Sequence, residues 1–233
     1  MIDRELLTRL AAGFSVEVSP ELAERLDIYA RLLVEWNEKM NLTAITDPVG
    51  ITVKHFADSL AAAPLLPAGE FTLIDVGTGA GFPGVPLALL RSDCRLTLLD
   101  SLNKRLVFLE AVCAALGLDA RRVHARAEEG GRNPALREQF DVATARAVAA
   151  LPALCEYCLP FVKVGGRFIA LKGRDGAQES AAAAHAIRLL GGTAGAPLAV
   201  TLPGAAGEEP MERLLSGAEH LTVPRGHTVY TPH

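Results

Sequence analysis

Acids, glycines and cations recur along this chain at spacings that would suit a nucleoside. Within residues 71–84, FTLIDVGTGAGFPG, Asp75 closes an apolar run, and Gly77, Gly79, Gly81 and Gly84 follow. A glycine without Cβ lets backbone approach a ligand closely, and a helix starting after such a turn aims free N–H groups at it. The next apolar run, RLTLLD, ends at Asp100, where a carboxylate can accept hydrogen bonds from both hydroxyls of a ribose. Further on stand Ala127 and Glu128, then Arg146, then Lys172, each just beyond or at the end of another apolar run. In a sheet of parallel strands, ligands bind outside the carboxyl ends of the strands. That rule brings Gly77–Gly81, Asp100, Ala127, Glu128, Arg146 and Lys172 to one place, with Ala127 and Glu128 where an adenine edge would be read.

The nucleotide needs to be chosen. Gly79-x-Gly81-x-x-Gly84 matches the dinucleotide fingerprint literally, but a lone match is weak. Two features argue against it. The first glycine after the strand is Gly77, so the register is G-x-G-x-G, and Asp75 lies where a carboxylate would repel a pyrophosphate. Hydrophobic-acid-hydrophobic-G-x-G-x-G resembles motif I of the class I S-adenosylmethionine (SAM) methyltransferases. SAM carries a sulfonium and an ammonium and no phosphate, so a nearby acid is tolerated. The bland alternative is an α/β turn that binds nothing.

A helical N-terminal part and an alternating β/α part would carry these residues. Residues 1–66 are helical: an amphipathic helix over 3–12 stopped by Gly13, a helix capped by Ser19 with Pro20 in its first turn, and a third started by Asp47-Pro48. In the second helix Leu22, Leu26, Tyr29, Leu33, Trp36 and Met40 form one apolar face, with Trp36 expected as core. In the third, Val49, Val53, Phe56 and Leu60 are expected to be buried. From Phe71 the pattern alternates. Strands are expected at 71–76, 95–100, 120–124, 140–145, 167–172, 198–202 and 219–223, the last antiparallel. Helices are expected near 85–91, 103–117, 150–158 and 176–190. Alternating β and α implies a parallel sheet covered on both faces. The expected division is a helical extension over 1–66 and a SAM-binding Rossmann-like domain over 67–233.

Composition sets the bounds. Half of the 233 residues are hydrophobic, and no apolar run reaches membrane-spanning length, which implies a soluble cytoplasmic protein. The net charge is −4, but its distribution is uneven. Residues 91–174 hold 14 Lys and Arg against 9 Asp and Glu, while the remainder holds 9 against 18. That suits either an RNA-facing surface or an ordinary solvated one. Cys155-x-x-Cys158 lacks a second pair and falls in an apolar helix, so buried reduced thiols are expected and no metal site.

Several stretches together resemble the bacterial small-subunit ribosomal RNA methyltransferase G family, also called glucose-inhibited division protein B. They are Asn41-Leu42-Thr43, His55-x-x-Asp58-Ser59, DVGTGAGFPGVPLA from Asp75, LLDSLNKRLVFLE from Leu98, Asp141…Ala145-Arg146-Ala147 and Ala170-Leu171-Lys172-Gly173. The proline-bearing Phe82–Pro86 stretch and Leu99-Asp100-Ser101-x-x-Lys104-Arg105 are the most particular of them.

The resemblance implies a seven-stranded, mostly parallel class I methyltransferase sheet after a helical extension. It implies methylation by SAM, with S-adenosylhomocysteine as product, of N7 of a guanine in the helix-18 (530-loop) region of 16S rRNA. Loss of this methylation is associated in the family with streptomycin resistance. It implies SAM contacts at Gly77, Phe82, Ala127, Glu128 and Arg146, beside Asp75, Gly79, Gly81 and Asp100. The partner would be 16S rRNA or the small ribosomal subunit, with no DNA and no membrane, and a monomer is the working expectation. The C-terminus departs from the family, because Val223-Pro224-Arg225-Gly226 does not match its usual basic tail.

The residues agree with a ring-nitrogen target. An Asn/Asp-Pro-Pro-aromatic, which orients an exocyclic amine, is replaced here by Thr144-Ala145-Arg146-Ala147. A C5-pyrimidine target requires a nucleophilic cysteine. Guanine N7 needs no base, so proximity and orientation suffice. The mechanism calls for no dedicated catalytic group; the candidates are Arg146, Lys172 and His55, of which Arg146 and Lys172 would face the base or its phosphates and His55 would help to lid the pocket. Asn41, His55, Lys104, Arg105 and Lys172 are candidates to touch RNA, although Asn41 would equally serve as a helix C-cap and His55 as a buried helix histidine. A nucleotide-dependent oxidoreductase and a non-catalytic SAM-binding ribosome-assembly module remain the rival readings.

Overall fold

The computed structural model describes residues 1–173, 175–203 and 211–220, the last stretch as backbone with the Leu215 side chain. The family-tail departure at 223–226 lies outside the described residues.

The N-terminal helices start where their caps dictate. Asp3 accepts from the Leu6 amide ahead of α1 (Arg4–Ala12), and Ser19 accepts from the Leu22 amide ahead of α2 (Pro20–Met40). Asn41 ends α2 in the left-handed conformation, at φ 50°. The third helical run starts at Asp47 with α3 (Pro48–Gly50), continues through a π-helical stretch (Ile51–Ala57) and closes with α4 (Asp58–Leu60). Val53, Phe56 and Leu60 are buried as expected, but Val49 is 38 % exposed. The widened π turn rotates the apolar face, so that Gly50, Ile51 and Thr52 face inward instead.

Alternation of strand and helix then runs as β1 (Phe71–Val76), α5 (Gly84–Leu90), β2 (Cys94–Asp100), α6 (Asn103–Leu116), β3 (Ala120–His124), α7 (Ala127–Gly130), β4 (Phe140–Arg146), α8 (Leu151–Cys158), β5 (Val162–Lys172) and α9 (Gly176–Leu189). Three further strands follow, β6 (Gly192–Ala194), β7 (Leu198–Leu202) and β8 (Met211–His220). The sheet order is β3-β2-β1-β4-β5-β8-β6, with β7 also paired to β8. Strands β1 to β5 are mutually parallel, and β8 pairs antiparallel with β5, β6 and β7. This is the class I methyltransferase architecture, a mostly parallel sheet: β6 and β7, each antiparallel to β8, run the same way as β1 to β5, so β8 alone is reversed, and β7 is an eighth strand beside the path of seven.

β2 and β4 each gain one residue over their expected bounds, and two strands differ by more, for local reasons. β5 begins at Val162 rather than 167, because Val162 pairs with Phe140 and, past an irregularity that holds the glycine-bearing stretch around Gly165 (φ 82°), the ladder resumes with Arg167 opposite Val142. β8 is described over Met211–His220 and so begins well before 219, because pairing along the whole of Arg167–Lys172 draws its earlier residues into the sheet; 221–223 of the expected strand lie outside the described residues.

Burial joins the N-terminal helices to the sheet. Leu7, Leu26, Leu33, Phe56 and Leu60 belong to the same core as Leu73, Val85, Leu98, Phe108 and Ile169. Trp36 is half-buried against Phe108, with ring centroids 5.7 Å apart. A second core on the opposite face packs α8 and α9 against Ile74, Ala143 and Phe168. Switching sheet order at β1, between β2 and β4, opens a crevice at the carboxyl ends of those strands.

Candidate functional site

The loop after β1 is built around a buried acid. Asp75 is fully buried and paired in register with Leu98 on one side and Thr144 on the other. Its Oδ2 accepts from Thr78 Oγ1 at 2.6 Å and from the Gly84 amide at 3.1 Å, and its Oδ1 accepts from Thr144 Oγ1 at 3.0 Å. Burial pushes the Asp75 carboxyl up, while these three donors and Arg146 pull the other way. The acid therefore pins the loop from below and does not line the cleft above. Gly84 permits this closeness, since a Cβ there would come within 2.7 Å of the Asp75 side chain.

Above the loop lies a cleft of about 370 Å³, a usable size for a small-molecule site. Its walls include Gly77, Gly79, Phe82, Asp100, Arg105 and Arg146, with Leu42, Thr43 and His55 contributed by the N-terminal helical part. Gly77 and Gly79 both take positive φ, 66° and 59°. A Cβ on Gly79 would meet no side chain within 4 Å, so its open side belongs to the cleft. Asp100 is held in place: Oδ1 accepts from the Leu102 amide at 2.8 Å, and Oδ2 accepts from the Gly79 amide at 2.9 Å and from Arg105 Nη1 at 3.3 Å.

An aromatic and cationic cluster forms the other end. Phe82 stacks on Tyr29 with centroids 5.1 Å apart and on His55 at 4.6 Å. The Arg146 guanidinium lies 5.0 Å from the centre of the same ring. Arg146 Nη1 donates to Asp58 Oδ2 at 2.8 Å and to the Lys54 carbonyl at 3.0 Å, and its Nη2 lies 3.3 Å from His55 Nδ1. His55 Nε2 is 2.9 Å from Thr43 Oγ1. The Tyr29 hydroxyl donates to the Ala80 carbonyl, which ties α2 directly to the glycine loop.

The structure thus gathers Gly77, Gly79, Phe82, Asp100, Arg105, Arg146 and His55 around one cleft. Gly81 turns beneath it at φ 97°, against Tyr29 and Leu109. Ala127 and Glu128 are half-buried on α7, one turn beyond β3 and outside the cleft walls. Lys172 does not reach the cleft: its Nζ donates to the Ala149 carbonyl at 2.9 Å and pairs with Glu179 at 2.9 Å. Asn41 is an exposed C-cap, and Lys104 is exposed on the first turn of α6. Tyr29, Thr43, Asp58, Thr78 and Thr144 were not singled out for the site from the sequence. Thr43 and Asp58 carried a signal, because they stand in the two short helical-part motifs, whereas Tyr29 reads only as one more apolar-face residue.

All four cysteines are buried and unbridged. Burial pushes the Cys155 thiol up to about 12 and Cys158 well above its ordinary value, so neither is a ready nucleophile. Among the described residues no helix is long and apolar enough to cross a membrane.

Comparison with known proteins agrees with this geometry. Residues 22–199 match the family model described as GidB, rRNA small subunit methyltransferase G. A ribosomal RNA small subunit methyltransferase G from Acetivibrio thermocellus is 50% identical over 190 residues, covering 81% of this chain and 78% of that protein. One from Alkaliphilus metalliredigens is 53% identical over 193 residues, covering 82% and 80%. Among solved structures, a branched-chain polyamine synthase variant from Thermus thermophilus, in complex with N4-aminopropylspermidine and 5′-methylthioadenosine, aligns at a TM-score of 0.61 and 15% identity, covering 88% of this chain and 67% of that one. A precorrin-6y methyltransferase from Geobacter metallireducens aligns at 0.53 and 15% identity, covering 70% and 86%. At such identities these two structures speak for the fold alone.

Proposed function

The chain belongs to the rRNA small subunit methyltransferase G family, and we propose that it transfers the methyl group of SAM to N7 of a guanine in the helix-18 region of 16S rRNA. The coarser part, methylation of small-subunit rRNA, rests on family membership. Within the finer part, SAM as donor is supported by the cleft, and the helix-18 guanine N7 is what the family resemblance implies.

The observation that carries the reading is Asp100. It is a buried carboxylate whose wall of the cleft faces the open side of Gly79, and its Oδ1 has a single donor, the Leu102 amide. A carboxylate oxygen accepts about two hydrogen bonds, so Oδ1 keeps capacity for a ribose hydroxyl. SAM fits this donor and acceptor set, with glycine backbone beside the ribose and Phe82 and Arg146 toward the methionine end, whereas Ala127 and Glu128, expected at the adenine edge, stand outside the cleft walls. When bound, SAM supplies a methyl group on a sulfonium; N7 forms the new bond with its own lone pair as the carbon–sulfur bond breaks, leaving S-adenosylhomocysteine.

The protein's own part is orientation. Asp75 and Thr78 fix the loop, Asp58 fixes Arg146, and Arg146 with Phe82 forms a rigid wall against which reactants align. N7 carries no proton to remove, and Asp100, the acid on the cleft wall, is already engaged by two amides and Arg105. The cytoplasm, where small subunits assemble, is the matching location.

Single-turnover methylation with labelled SAM tests the proposal, using small subunits and 16S rRNA from cells lacking the modification and cleavage chemistry specific for 7-methylguanine. One mapped guanine in helix 18 is the expected product. Label at another position would replace the target, and SAM binding without any label would favour the non-catalytic assembly module.

A further inference from the structure

We infer that Thr43 is a hydroxyl donor locked toward the cleft, and that it binds an oxygen acceptor of the bound reactants, the guanine O6 carbonyl or the cofactor carboxylate. The inference deepens the proposed methyl transfer and rests on it for the identity of the reactants.

Arg146 sets the direction of a short relay of hydrogen bonds that ends at Thr43. A guanidinium has only donors and stays protonated in proteins. Its Nη2 lies 3.3 Å from His55 Nδ1, so Nδ1 must be the accepting nitrogen. An imidazolium, or the Nδ1–H tautomer, would set N–H against N–H at that contact. The His55 proton is therefore on Nε2, and Nε2–H donates to Thr43 Oγ1 at 2.9 Å. The Ile45 amide donates to the same oxygen at 3.0 Å. A hydroxyl oxygen offers two acceptor lone pairs and one O–H. Both lone pairs of Thr43 are thus used, and its O–H is the remaining direction.

That direction is further restricted because the residue itself is fixed. The Thr43 amide donates to Asn37 Oδ1 at 2.9 Å, and the Leu42 amide donates to the same atom at 2.6 Å. Leu42 and Thr43 both line the cleft. Thr43 is half-buried and lines the cleft together with Phe82, His55 and Arg146, a setting where a hydrogen bond counts for more than in water. A donor with no acceptor role left distinguishes ligands sharply. It accepts a carbonyl or carboxylate and rejects an amino group, which separates guanine from adenine at position 6. His55 and Arg146 act here as positioning residues, setting the sense of the Thr43 hydrogen bond.

The experiment compares wild type, Thr43→Val and Thr43→Ser. Single-turnover rates are measured on rRNA carrying either guanine or 2-aminopurine, which keeps N7 but lacks O6, at the mapped position. SAM affinity is read by calorimetry on the same preparations. If the acceptor is O6, Thr43→Val slows transfer to guanine by ~10-fold, leaves transfer to 2-aminopurine at the wild-type rate, and leaves SAM affinity unchanged. If it is the cofactor carboxylate, Thr43→Val weakens SAM by ~10-fold and affects both substrates alike. Thr43→Ser retains wild-type behaviour in either case. Wild-type rates and affinity in Thr43→Val would overturn the inference. So would an equal loss in Thr43→Ser, which would assign the role to packing, or nitrogen NMR showing His55 protonated on Nδ1. If wild type methylates neither substrate, the proposed function fails by itself; an unchanged SAM affinity in Thr43→Val then overturns the inference, and a ~10-fold weaker one supports it.

Discussion

Arg146, at the end of β4, donates from Nη1 to Asp58 Oδ2 at 2.8 Å, across 88 residues of sequence. Asp58 is fully buried and the Arg146 side chain is 11 % exposed. The pair fastens the third N-terminal helical run to the sheet and holds the guanidinium against Phe82. Asp58→Ala leaves a buried cation with one carboxylate fewer, which costs about 3–5 kcal/mol in comparable buried pairs. The expected outcome is a lower Tm together with slower single-turnover methylation. A variant with wild-type Tm and rate would remove Asp58 from the positioning of Arg146.

Tyr29 reaches the glycine loop through one hydrogen bond, from its hydroxyl to the Ala80 carbonyl. Tyr29→Phe keeps the ring stacked on Phe82 and removes only that bond. A single hydrogen bond of this kind contributes about 1 kcal/mol. Chemical denaturation should show a loss of that size, and titration should show SAM binding weakened a few-fold. Unchanged binding would mean that the loop keeps its shape without α2.

Gly81 cannot carry a side chain here. Its φ is 97°, and an added Cβ would come within 2.7 Å of Leu109 as well as colliding with the Tyr29 hydroxyl. Gly81→Ala should destabilise by about 1–3 kcal/mol from backbone strain alone. Because strand β1 and Asp75 are untouched, the protein should still fold, with lowered Tm and with the larger loss in SAM affinity. Equal affinity would place the loop's shape outside the control of this turn.

Asp100 and Arg105 should respond oppositely to substitution. Asp100→Ala removes the proposed ribose acceptor and the anchors for the Gly79 and Leu102 amides, so SAM affinity should fall by roughly 10–100-fold while RNA affinity changes little. Arg105→Ala frees Asp100 Oδ2 of a competing donor, so SAM affinity should hold or rise while RNA binding weakens. Parallel calorimetric titrations with SAM and RNA decide this, and equal losses of both ligands in Asp100→Ala would contradict the assignment.

Acid should unfold the protein partly through Asp27. Burial alone would raise this carboxyl, but the Met1 ammonium, the Ile2 amide and Arg31 hold it well below the ordinary value of 3.8. A depressed native value means that the folded state binds protons less readily than the unfolded state. The stabilisation is therefore complete above the ordinary carboxylate range and is lost as pH falls through it toward the depressed native value. Thermal unfolding from about pH 6 downward should show a wild-type Tm that drops more steeply than that of Asp27→Asn. Parallel slopes for the two proteins would show that Asp27 does not carry the acid sensitivity.

Much of this molecule could be read along the chain because its signals are local. Glycines after an apolar run, an acid at the end of the next, proline after Ser19 and Asp47, and apolar residues at steps of three or four act over a few residues each. They determined the five parallel strands, the helices between them, the G-x-G-x-G turn and Asp100. The rule for the carboxyl ends of parallel strands added Arg146, and the family resemblance added Phe82.

Tertiary structure decided what depends on contacts between distant segments. It turned Asp75 from a cleft residue into a buried pin, since only the pairing of β1 with β4 brings Thr144 to its side chain. It withdrew Lys172 into a pair with Glu179, because the side chain at that position follows the path of α9. It extended β8 along β5, which hydropathy alone could not show in so mixed a sequence. Above all it folded Tyr29, Thr43, His55 and Asp58 over the glycine loop. No periodicity records that closure. It comes from one apolar core shared by the N-terminal helices and the sheet, and from hydrogen bonds whose direction is set only when Arg146 meets His55.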